Sequence, residues 1–113
     1  MSTILIPISI GEAVDKITIL NIKREKIISS AAKINEEIHL ISQAIKHFDV
    51  NIKYFIELEV VNRKLWDIED DIRIKEKNNQ FDIEFIELAR SVYKNNDARF
   101  KIKSEINIIE SGV

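Results

Sequence analysis

From Glu12 to Ser111 the chain contains neither glycine nor proline. These two residues are the strongest local breakers of regular structure, glycine through its wide backbone freedom and proline through its fixed φ and missing N–H. So long an unbroken run leaves few sites for the tight turns of a β fold and favours helices. Isoleucine, with 24 occurrences, would suit strands by propensity, yet it recurs mostly at spacings of three and four rather than two. Periodicity reports which face of an element is buried, so it outranks propensity. The expected class is all-α: an antiparallel bundle of three to four helices with a short extended N-terminal arm. A length of 113 residues, 45% of them apolar, suits one core and hence one domain over residues 1–113.

The arm covers residues 1–8. Ile4, Ile6 and Ile8 alternate with Leu5 and Pro7, and Pro7 cannot donate to a ladder, so this segment is expected as an edge strand or a strap. Ser9 with Glu12 forms a Ser-x-x-Glu capping box for a first helix over about 10–28. That helix is apolar on two sides and calls for neighbours on both. Ser29-Ser30 marks a break. A second helix over 31–48 carries Ile34, Ile38, Ile41, Ile45 and Phe48 on one face. Asn51 caps a third over about 51–79, and Asp82 a fourth over about 82–110, with Phe81 placed to staple onto Ile86. The short connection near residue 80 makes the last two helices an antiparallel hairpin.

Several polar side chains fall inside the apolar arcs when each helix is drawn at 100° per residue. Asn21 and Arg24 do so in the first helix, Asn62, Glu69 and Glu76 in the third, and Asn96, Arg99 and Lys103 in the fourth. Folding the hairpin about residue 80 sets Asn62 opposite Arg99 and Glu69 near Asn96. Buried charges are costly unless paired, so a bonded interior network of these eight residues is expected. Three roles are open to it: fixing helix register, lining a site for a small anionic ligand, or lying at a subunit interface.

Other function classes find little footing. The chain has no cysteine, which removes thiol chemistry and cysteine metal sites. A net charge of −2 with interspersed signs gives no footprint for nucleic acid or an anionic membrane. No stretch approaches the ~18 apolar residues of a membrane span and no secretory leader is visible, so a cytoplasmic protein is expected. No metal or other cofactor is expected either. Asp67, Asp70 and Asp71 fall on the outer arc of the third helix beside Arg63 and Lys64, and His39 and His47 lie outside with no third ligand in register. Glu84-Phe-Ile-Glu87 and Glu12-Ala-Val-Asp15 resemble the magnesium-binding pairs of all-helical nucleotide pyrophosphohydrolases, but in reversed order and in first turns where acids serve capping. Val14-Asp15-Lys16-Ile17 is faintly similar to the first helix of all-helical chorismate mutases. The early arginine that would hold a substrate carboxylate is Gly11 or Glu12 here.

Four segments carry a broader resemblance: Pro7-Ile-Ser-Ile-Gly-Glu12, Asp15-Lys-Ile-Thr-Ile-Leu20, Asn62-Arg-Lys-Leu-Trp-Asp-Ile-Glu-Asp70 and Asn95-Asn-Asp-Ala-Arg99. Together they resemble a small bacterial family of all-helical proteins of unknown function. That resemblance implies that Asp15, Lys16, Trp66, Glu69, Arg73 and Arg99 share a site or core, and it brings no activity or catalytic residue with it. The expected function is a non-enzymatic helical interaction or structural domain that self-associates as a homodimer, its arm strapping across or pairing with the second copy. The alternative is a small anionic-ligand binder, or an enzyme using Arg24, Glu69, Arg99 and Lys103 in the bundle core.

Overall fold

Ser9 starts the first helix as its pattern requires: its hydroxyl accepts the Glu12 N–H at 3.1 Å. The capping box stays half closed, because the Glu12 carboxylate turns away to Lys103, 2.7 Å distant. The computed structural model describes residues 2–111 and has four α-helices: α1 (Ile10–Lys26), α2 (Ala31–Ile45), α3 (Ile52–Lys77) and α4 (Ile83–Glu110). Residues 2–9 lead into α1 with neither helix nor strand.

Helix α1 ends at Lys26, short of the expected residue 28. Ile27 leaves helical backbone at φ −123° and ψ 80°, its N–H closing onto Lys23, and a 3-10 turn over Ile28–Ser30 leads into α2. Helix α2 likewise stops at Ile45 rather than 48. Its end turns through Phe48, whose N–H bonds the Ile45 carbonyl, and this lets Val50 reach the core. Asn51 caps α3 through the Lys53 N–H and Asp82 caps α4 through the Phe85 N–H. Phe81, placed to staple onto Ile86, meets Phe85 edge to face at 5.2 Å, and Phe81 and Ile86 each stay 55% exposed.

The connection between α3 and α4 is set by a C-cap. Asn79 adopts a left-handed φ of 52°, the Gln80 N–H returns to the Lys75 carbonyl, and the Asn79 N–H to Glu76. This double closure is a Schellman motif with asparagine in the place glycine usually takes. It reverses the chain, and α3 and α4 pack antiparallel.

Helix α1 is the shared element, with α2 on one side and the α3–α4 hairpin on the other. Its two apolar faces explain the position. Ala13 and Ile17 look towards α2, while Val14 joins Tyr54, Leu58 and Ile106 in the main core cluster. The core is concentrated at the end of the hairpin that α1 covers. Beyond Leu65 on α3, and before Ile106 on α4, no residue is buried.

Candidate functional site

On α1, Gly11, Asp15, Thr18 and Ile22 follow at spacings of four, three and four, which places them in one row. All four are buried. Gly11 lets α4 approach: its N–H donates to Asn107 Oδ1 at 2.7 Å, and a Cβ there would stand 2.6 Å from the Lys103 carbonyl oxygen. That close approach sets the next turns of α4 over Asp15.

Asp15 is 1% exposed. A carboxylate so placed needs partners for both oxygens, and α3 and α4 supply them. Arg99 of α4 forks onto it, Nε at 3.0 Å from Oδ1 and Nη2 at 2.5 Å from Oδ2. Asn62 of α3 donates Nδ2 to Oδ1 at 2.9 Å and to Thr18 Oγ1 at 2.9 Å. The Thr18 hydroxyl in turn donates to the Asp15 backbone carbonyl at 2.7 Å. Lys103 adds charge from 3.9 Å while bonding Glu12. The Asp15 hydrogen bonds hold the Arg99 guanidinium pKa above its ordinary value, against the opposite pull of burial. Among the described residues no buried side-chain polar atom lacks a partner.

The structure therefore brings Asn62, Arg99 and Lys103 together, with Asn96 3.4 Å from Arg99 Nη1, but around a carboxylate of α1 rather than one of α3. Glu69 is not the buried counter-charge. Its side chain is 55% exposed and lies 3.7 Å from Arg73. Glu76 is exposed on the projecting part of α3. Glu69 sits at the open edge of the cover that α1 gives and Glu76 beyond it, so nothing forces either out of water. Asn21 and Arg24 form a separate clamp: Arg24 bonds Asn21 at 3.1 Å and Asn35 of α2 at 2.6 Å, tying α1 to α2. Lys16 is exposed, and Arg73, also exposed, pairs with Asp70 at 3.1 Å. Thr18 was not legible as a site residue, and Asp15 was indicated only by the family resemblance. The row Gly11–Asp15–Thr18–Ile22 was the available signal, since three small or polar residues in register with an isoleucine mark a close helix contact.

A cleft of about 200 Å³ opens beside the network, lined by Ile19, Ile22, Asn62, Leu65, Trp66, Glu69, Asn96 and Arg99. Because both Asn62 amide hydrogens are committed to Asp15 and Thr18, its carbonyl oxygen is the edge left over. Chemically this is an apolar floor with a few polar groups at the rim. Both Asp15 oxygens are engaged by Arg99, and Oδ1 by Asn62 as well. Among the described residues no group of three acids or histidines is arranged to hold a metal ion, and no helix is long and apolar enough to cross a membrane.

No curated protein and no solved structure matches the chain. A family model does, over residues 4–112, a span that takes in most of the arm, the Asp15 network and both helices of the hairpin: the chain belongs to the family of unknown function DUF6165.

Proposed function

We propose that this protein is a non-enzymatic helical interaction domain that works as a self-associated assembly. One observation carries the reading. The hairpin from Trp66 to Glu105 has no buried residue, although it holds Ile74, Phe81, Ile83, Ile86, Tyr93 and Phe100, all more than half exposed. Two helices alone cannot enclose a core, because each apolar face is covered from one side only. Apolar surface on this scale marks an interaction site. The arm adds to it, with Ile4 80% and Leu5 97% exposed. The Asp15 network supports the same reading from inside: its charges satisfy one another, as a pin holding α1, α3 and α4 in register requires.

A folded state that gains a partner is stabilised by mass action. The melting temperature of the full chain is therefore expected to rise with protein concentration, and sedimentation to show a dimer at micromolar concentration. A monomer with a concentration-independent melting temperature overturns the proposal. A chain lacking residues 2–8 separates the arm from the hairpin as the contact.

A second reading, a small-ligand binder, draws on the cleft at Asn62, Trp66 and Arg99. A panel of anionic metabolites at millimolar concentration tests it. A specific rise in melting temperature that Trp66→Ala abolishes supports the binder, and no rise with any compound removes it.

A further inference from the structure

Helix α4 carries a mostly apolar row outside the core. Ile86, Ala89, Tyr93, Asn96 and Phe100 recur at alternating spacings of three and four, the heptad rhythm that keeps a seam on one side of a helix. This row lies about 100° around the helix from the Leu88, Val92, Arg99 and Ile106 row that faces the bundle. All five residues are exposed, Ile86 at 55%, Tyr93 at 52% and Phe100 at 69%. Beside the seam, Arg90 and Asp97 stand one heptad apart, both exposed and neither in an ion pair among the described residues. Seven residues span about 10 Å of helix, too far for the two to meet each other.

We propose that this seam is a two-fold interface with a second copy of the chain, the two α4 helices running antiparallel about an axis between residues 94 and 95. The proposal rests on the self-association argued above and names its surface. In this register Ala89 lies opposite the partner's Phe100, small against large, and Tyr93 opposite the partner's Asn96, hydroxyl against amide. Arg90 meets the partner's Asp97, and symmetry repeats the contact on the other side. A parallel arrangement turns the Arg90 and Asp97 flank towards the partner's other flank, Phe85 and Val92, where no charge meets it, so the charges select the antiparallel one. A self-complementary contact needs its apolar and charged patterns to share an axis. Here the middle of the row, Tyr93, and the midpoint of the charge pair fall within two residues of it. The other exposed row, Ile52, Ile56 and Val60 on α3, lacks this property. Its flanking unpaired charges, Glu57 and Lys64, centre beyond Val60, off the end of the row.

Sedimentation velocity on full-length variants tests the interface, with circular dichroism melts to check folding. Phe100→Glu is expected to weaken the dimer at least hundredfold, by setting a charge against the partner's Ala89. Arg90→Glu weakens it roughly tenfold, because two symmetric contacts turn repulsive together. The double variant Arg90→Glu/Asp97→Arg restores it to within about threefold, since the pair is re-formed with reversed signs. Ile56→Glu leaves it unchanged. A dimer indifferent to Phe100→Glu and Arg90→Glu, or one broken by Ile56→Glu, overturns the α4 seam and leaves self-association standing. A monomeric parent chain overturns both. Should Phe100→Glu unfold, Arg90→Glu and its double reversal decide alone, since both positions are exposed.

Discussion

The Asp15 carboxylate, 1% exposed on α1, is gripped by both Nε and Nη2 of Arg99 on α4, 84 residues away in sequence. Removing the arginine leaves the acid to Asn62 and to a lysine 3.9 Å off that already serves Glu12. Arg99→Met is therefore expected to lose about 2–4 kcal/mol in urea unfolding. Arg99→Met combined with Asp15→Leu loses clearly less than the two single changes added together. Glu69→Gln stays within about 0.5 kcal/mol, as for an exposed substitution. A neutral Arg99→Met would mean that the fork contributes nothing to the fold.

Gly11 sits in the first turn of α1, and a glycine within a helix is ordinarily less stable than alanine, by up to about 1 kcal/mol in the interior. Here the sign reverses. A Cβ would stand 2.6 Å from the Lys103 carbonyl oxygen and 2.9 Å from Asn107 Oδ1. The first of these is helix backbone and cannot swing aside. Gly11→Ala is expected to destabilise by about 1–3 kcal/mol in chemical denaturation. A gain in stability would show that α1 and α4 stand further apart than described.

At the hairpin turn, Asn79 holds a left-handed φ of 52°. Glycine takes that backbone without the Cβ penalty, and branched residues bear it in full. Asn79→Gly is expected to be neutral or to stabilise by a few tenths of a kcal/mol, and Asn79→Val to cost about 1–2 kcal/mol. Thermal melts of the three proteins give the order, and valine melting level with glycine would remove the Schellman closure.

Asp82 caps α4 and lies 2.9 Å from Lys75. The Lys75 ammonium first, and the Phe85 N–H second, hold its carboxyl pKa below the ordinary value. A lowered folded-state pKa means that the stabilisation is complete above the unfolded value of about 3.9 and is lost as pH falls through the lower folded one. Carboxyl carbon NMR is expected to place the Asp82 titration below ~3.9, with Lys75→Ala moving it back up. A titration at or above the ordinary value contradicts the contact.

Much of the fold was legible because helices report themselves locally. The spacing of Ile34, Ile38, Ile41 and Ile45, and the caps at Ser9, Asn51 and Asp82, depend only on neighbours within a turn or two. The stop at Ile27 was less legible: Ser29-Ser30 lies close by, but no glycine or proline marks the spot. The polar site was half legible. A helical wheel shows that Asn62 and Arg99 share an arc with core residues, and it cannot show which helix brings their counter-charge. Glu69 met every local condition for burial and stayed in water, because α1 covers only part of the hairpin. Asp15 was the acid that α1 carried inside.

On the proposed assembly, the projecting half of the α3–α4 hairpin is covered by another copy of the chain. Amide hydrogen exchange measures that cover directly, since a bare two-helix hairpin opens far more readily than a packed one. Exchange over residues 66–105 is to be compared at submicromolar and at high micromolar concentration, with α1 as the internal reference. Amides of α4 around Tyr93 are expected to exchange about tenfold or more slowly at the higher concentration, while those around Val14 barely change. Equal exchange at both concentrations in a chain that sediments as a monomer would contradict the assembly.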